Sequence, residues 1–300
     1  MISEIELVES MVRATPSEKG VADNRRIIPL VKVVEPEEAW KFWGRIPVRR
    51  IAVDFISLQK RSDLYSRALS EGIHSALEFD GEVTAVAVGR DWDLDNLDVE
   101  RYATDAQSMG FNSIMTPDDY TYLNDPPDYR THRILTSLAR ARKVIEIVND
   151  AEVIGTVKGT VTSEIRFSIE RLGAERLHCL AFPCSEFMEA RRFTEPSFFA
   201  RVCQETGVLP WLVGANSLKA MKKLEAHRYS ASAWCYAALC GMIYGERRWE
   251  PAADRFWCRH EACKRDKDSY PPYAVRAHHN IRRLLEEDSS LERGREIGEL

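Results

Sequence analysis

Glu152-Val-Ile-Gly-Thr-Val-Lys158, then Ser163 to Leu172, then Arg176-Leu-His-Cys-Leu-Ala-Phe182 read in order as strand, helix and strand. Both flanking runs are short and apolar, as buried strands are. The middle segment is a helix stopped by Gly173. A strand, a helix and a second strand at this spacing form a parallel crossover unit.

The same alternation continues on both sides. Upstream, Ile28–Val34, Arg50–Ile56, Val83–Gly89 and Phe111–Thr116 read as strands. Helices from Ser62 to Ser70, Asp98 to Met109 and Thr131 to Val148 separate or follow them. Downstream come a helix from Pro196 to Thr206, a strand Leu209–Gly214 and a helix Ser217 to Glu225. A short strand Arg228–Ser232 and an Ala-rich helix Ala233 to Met242 end the series. About eight such units, without a Gly-rich dinucleotide fingerprint, favour an α/β fold that closes as a (β/α)8 TIM barrel. The expected organisation is an arm over residues 1–27, the barrel over 28–245, and a zinc-binding subdomain with a C-terminal helix over 246–300.

Composition is that of a globular chain. Apolar residues make up 44% and charged residues 30%. No apolar run approaches the roughly 18 residues of a membrane span, so no membrane partner is expected. The start, Met1-Ile-Ser-Glu-Ile-Glu, lacks a signal-peptide pattern. With seven cysteines in so long a chain, a reducing, cytoplasmic setting is expected. The net charge of −5 does not mark a nucleic-acid binder. Between Gly245 and Arg283, however, ten Lys/Arg stand against six Asp/Glu, a local excess of four. A basic patch on an acidic protein holds phosphates or is ordinary solvated surface.

That basic region contains Cys258-Arg-His260-Glu-Ala-Cys263, followed by His278-His279-Asn280. The first three ligand types fall within one tight turn. His278 or His279, with His279 preferred, closes a tetrahedron from the next helix. Four N/S ligands with no open position suit structural zinc. Two buried cysteines beside incidental histidines are the bland alternative.

In such a barrel the chemistry lies at the C-terminal strand ends. Asp54 lies near the end of one strand, and Asp118 and Asp119 follow another. Lys158-Gly159, Phe182-Pro183-Cys184, Gly214-Ala-Asn216 and Tyr229-Ser-Ala-Ser232 mark further ends. Carboxylates converging from different strands fit base recognition and acid/base work. Against this, Pro117-Asp-Asp is good turn chemistry, and Asp54 also suits a structural ion pair.

These residues resemble the tRNA-guanine transglycosylase family over roughly residues 50–290. The family carries a C-x-C-x-x-C zinc site with a downstream His-Asn. Cys258, His260, Cys263 and His279-Asn280 resemble it, with His260 in the middle cysteine's place. Thr156-Val-Lys-Gly-Thr160 is similar to the family's Val-Gln-Gly strand end, and Leu180-Ala-Phe-Pro183 stands where the Gly-Gly-Leu loop covers the base. Tyr229-Ser-Ala-Ser-Ala-Trp-Cys-Tyr-Ala237 resembles an archaeal family pattern. The resemblance implies exchange of guanine for a 7-deazaguanine base in DNA or tRNA, through a covalent aspartyl intermediate, on a base taken out of its stack. The branch that acts on DNA is the closer in feel. It implies Asp54 as the catalytic carboxylate and Asp118 as the reader of the guanine edge. Asp119, Lys158, Gly159, Pro183 and Ser230 then line the substrate site, and the assembly is a homodimer or heterodimer. Three departures accompany it. Tyr229 stands where the family nucleophile precedes Ser-Ala-Ser, Lys158 replaces a glutamine, and residues 151–253 contain no aspartate. Another carboxylate (Asp54, Glu186 or Glu225) then acts, or the chain is a non-catalytic subunit, or a different base is handled by another route.

Overall fold

The computed structural model describes residues 27–33, 37–44, 46–173, 177–214, 224, 228–231, 238, 242–245, 249–252 and 274–286. Eight strands run in sequence order: β1 (Ile27–Val31), β2 (Arg50–Asp54), β3 (Glu82–Val86), β4 (Ser113–Met115), β5 (Glu152–Thr156), β6 (Cys179–Pro183), β7 (Leu209–Val213) and β8 (Arg228–Ala231). Each pairs in parallel with the next, and β8 pairs with β1, so the sheet closes into a barrel. This is a TIM-like α/β architecture. A parallel neighbour requires a crossover, and helices such as Ser62–Glu71, Val99–Ser108, Pro127–Ile147, Thr162–Leu172 and Thr194–Glu205 supply it.

Two apolar clusters follow from the two-residue period of strands. Ile28, Leu30, Ala52, Val86, Met115, Ile154, Ala181 and Trp211 come from alternate positions and fill the barrel interior. The intervening residues, among them Val31, Val53, Val83, Ile114, Leu180 and Leu212, pack outward under the helices. Thr84 and Ser113 satisfy each other inside the barrel across a 2.7 Å hydrogen bond.

Beyond β8, Met242–Tyr244 (β9) and Trp249–Pro251 (β10) form an antiparallel pair. This hairpin straddles the boundary expected at residue 245. Met242, expected at the end of a helix, is a strand residue. A helix over 274–286 docks on β9. Asn280 is fully buried and grips β9 at two points: its Oδ1 accepts from Tyr244 N at 2.7 Å, and its Nδ2 donates to Met242 O at 3.2 Å. No described helix is long and apolar enough to cross a membrane.

Candidate active site

Alternation along the strands decides which polar side chains reach the barrel's C-terminal mouth. In β2, Ala52 points inward and Asp54 therefore does too. Asp54 is only 4% exposed. Its Oδ1 accepts from Ile56 N at 3.1 Å and Ser57 N at 3.4 Å, capping the helix Phe55–Gln59. Ser57 Oγ donates to the Asp54 carbonyl at 2.7 Å and accepts from Val33 N at 2.9 Å, tying β1 and β2 together beneath the site. Among the described residues no hydrogen bond is formed to Asp54 Oδ2. Burial pushes the Asp54 carboxyl up to about 6, with the positive charge of Lys32 opposing the rise.

Lys32 was not among the expected site residues. The signal for it was present, because Ile28, Leu30 and Lys32 share one parity, and the pairing of Val31 with Val53 sets Lys32 beside Asp54.

The second carboxylate follows β4. Asp118 N donates to Ala87 O at 3.0 Å, which fixes the turn against β3. Asp118 Oδ1 accepts from Lys158 Nζ at 2.8 Å and from Asp119 N at 2.8 Å. Lys158 continues the inward parity of Ile154 in β5 and is 6% exposed. The mouth thus carries two inward lysines and two carboxylates, Lys32 with Asp54 and Lys158 with Asp118. Each carboxylate has Oδ1 anchored and Oδ2 without a hydrogen bond among the described residues. The two pairs stand on strands separated by β3.

Asp119, the next residue, is placed differently from Asp118. It has no exposure, and its carboxylate turns under the helix Pro127–Ile147, where it pairs with Arg133 and approaches Arg140 at 3.6 Å. It is a buried anchor of the loop. Glu186, an alternative catalytic carboxylate, spends both oxygens on Leu123 N at 3.2 Å and braces the loop after β4. Glu225 lies outside the described residues. Ser230 belongs to β8, and Pro183 ends β6 half-buried.

Two glycines shape the rim. Gly159 adopts φ +147°, and a Cβ there would lie 2.7 Å from Ile165 N. Gly214, after β7, adopts φ +83°, and a Cβ would stand 1.9 Å from Ser185 Oγ. Gly214→Ala is expected to destabilise the protein by about 1–3 kcal/mol, from left-handed backbone plus a clash. Thermal melts check this. Adding Ser185→Ala should recover only part of the loss, because the backbone term remains.

Of the expected zinc ligands, Cys258, His260 and Cys263 lie outside the described residues. Among the described residues no group of three or more potential ligands is assembled. His279 is described: its Nε2 faces Tyr244 O at 3.2 Å, and burial pushes its imidazole pKa down. With Nε2–H donated to a carbonyl, Nδ1 is the ring's acceptor, the arrangement that orients metal-bound histidines.

No protein-family model matches this sequence, and no curated protein is significantly similar to it.

Proposed function

We propose that the chain is a nucleic-acid guanine transglycosylase-like enzyme that exchanges guanine for a 7-deazaguanine base, with DNA preferred over tRNA. The observation that carries this reading is the pair of carboxylates at the strand ends, Asp54 with Oδ1 held by two backbone N–H groups and Asp118 with Oδ1 held by one backbone N–H and Lys158, each with Oδ2 left without a hydrogen bond among the described residues. Preorganised acceptors at a barrel mouth suit both nucleophilic attack and recognition of a base edge.

Asp54 is assigned as the nucleophile. Its oxygen bonds to C1′ as the C1′–N9 bond breaks, and the bonding pair leaves with the base, which takes up a proton. The incoming base then reverses the step. The Asp118–Lys158 pair holds the base. Asp118 Oδ2 offers an acceptor, and Lys158 retains N–H groups beyond the one given to Asp118. An acceptor beside a donor matches the N1–H and O6 edge of a guanine-like ring. The test is incorporation of labelled guanine or 7-deazaguanine into DNA and tRNA. Absence of exchange in every substrate would remove the assignment.

A second reading, a non-catalytic partner subunit, draws on two observations. The Lys158 salt bridge takes up half of the carboxylate that would read guanine, and Tyr229 stands at the family's nucleophile position. A wild-type protein that never exchanges a base but binds a homologous catalytic chain would establish it.

The zinc site belongs to the same proposal. His279 fits a ligand role through Nδ1, and Cys258, His260 and Cys263 would complete a closed tetrahedron. Zinc there would act structurally, tying the segment after β10 to the helix that grips β9. One zinc per chain is expected from metal analysis. Cys263→Ser should lose the metal and lower the melting temperature. A Cys263→Ser protein that keeps both would overturn the ligand set.

A further inference from the structure

A cavity of about 550 Å³ opens at the rim between the segments following β2 and β3. That volume lies within the range of small-molecule sites. Its wall includes Ile56, two residues after Asp54, whose backbone N–H is bonded to that carboxylate. The indole of Trp92 stands over it and is 70% exposed. Among the described residues the exposed large aromatic side chains are Trp92, Tyr122 and Tyr129, and all three follow β3 or β4 on the mouth side. Tyr122 stacks on Tyr120 at 6.1 Å and bonds Asp91, the neighbour of Trp92, at 2.7 Å.

The surrounding charges are arranged to leave donors over. Asp93 is nearly buried and accepts from Lys60 at 2.7 Å and Arg90 at 3.2 Å. Asp91 and Asp95 accept from the Tyr122 and Tyr120 hydroxyls. Asp98 caps Arg101 N at 3.0 Å, and the Arg101 side chain pairs with Asp105 at 3.2 Å. The acidic run is therefore internally engaged. Lys60, Arg90 and Arg101 are each more than half exposed and hold further N–H groups beyond these bonds.

Exposed aromatic faces flanked by cations with donors to spare are how proteins hold single-stranded nucleic acid without reading its sequence. We infer that the cavity beside Trp92 is a stacking site for a nucleobase of a single-stranded segment, the nucleotide next to the one held at the mouth. Lys60, Arg90 and Arg101 take its phosphates. This rests on the proposed function, since it places the strand from which the mouth takes its base.

The test measures binding of a short labelled oligo(dT) and of an abasic strand of equal length by fluorescence anisotropy. Wild type should bind oligo(dT) more tightly than the abasic strand. Trp92→Ala should lose about 10- to 100-fold on oligo(dT) and nothing on the abasic strand, and Trp92→Phe should keep most of the affinity. Because Trp92 is exposed, an unchanged melting temperature is expected and shows that the variant folds. Equal oligo(dT) binding by wild type and Trp92→Ala overturns the inference, as does failure of wild type to bind either strand. Exchange activity with Trp92-independent binding strikes the inference alone. Trp92-dependent binding without base exchange strikes the proposed reaction alone.

Discussion

Asp54→Asn is expected to abolish base exchange while raising the melting temperature. The carboxylate is buried, and burial moves its pKa from 3.8 to about 6. A rise of that size means that the ionised folded form carries a penalty of about 3 kcal/mol at neutral pH. Asparagine keeps an Oδ1 acceptor for Ile56 N and Ser57 N, and Asn caps helices about as well as Asp. It removes the charge and the proposed nucleophile together. A gain of roughly 1–3 kcal/mol should accompany complete loss of exchange, as expected where a site holds a destabilising group for function. Asp54→Ala separates the terms, because it also loses the cap and should be less stable than Asp54→Asn by about 1 kcal/mol. Melts at pH 7.5 and labelled-guanine incorporation give both readouts. An Asn variant that melts lower and still exchanges would contradict both assignments.

The pH dependence follows with a definite sign. The folded-state pKa lies above the unfolded one, so between about 6 and 3.8 the native chain binds a proton that the unfolded chain lacks. This group's contribution therefore favours folding as pH falls through that window and disfavours it as pH rises. Exchange requires the ionised form and should fall as pH drops below about 6. Stability and activity then move in opposite directions. The stability slope from this group should vanish in Asp54→Asn.

The barrel was legible because a parallel strand covered on both sides is a short apolar run, and here each run is bounded by helix-forming polar sequence. All eight strands fall within the expected runs to within a residue or two, and Asp54 was readable as lying near the end of one of them. Side-chain direction was harder to read. Lys32 was hidden inside an apolar run, although its parity with Leu30 pointed inward. Lys158 was read as a substrate contact, and its bridge to Asp118 depends on a strand register that sequence does not state. Pro117-Asp-Asp presents two identical carboxylates in succession, and turn chemistry does not say which one turns inward. Arg133 and Arg140, seven residues apart on one helix face, were the available clue.

Those two arginines set a large stability effect. Asp119→Leu is expected to destabilise the protein by about 3–5 kcal/mol, because it leaves two largely buried guanidinium groups without their carboxylate. Asp119 accepts from Tyr120 N at 2.9 Å and contacts Arg133 through Oδ1, while Oδ2 lies 3.6 Å from Arg140 Nη1. Burial pushes its pKa up, against the pull of Arg133 and Arg140. Neither Asp119 Oδ2 nor Arg140 Nη1 completes a hydrogen bond, so the cluster is held by charge more than by bonding geometry. Arg133 also bonds Asp95 at 3.0 Å and lies 3.6 Å from the centre of the Tyr120 ring. Losing Asp119 therefore loosens the loop that carries Asp118. The urea midpoint should drop with an unchanged slope. Changing all three groups together, Asp119→Leu with Arg133→Met and Arg140→Met, should recover much of the loss, since an apolar set of similar volume needs no charge compensation. Asp118→Asn leaves the nearly buried Lys158 ammonium without its carboxylate, so it should lower the midpoint as well as weaken base binding. A single Asp119→Leu variant within about 1 kcal/mol of wild type would show that the cluster is not the anchor, and would favour Asp119 as a substrate-site residue.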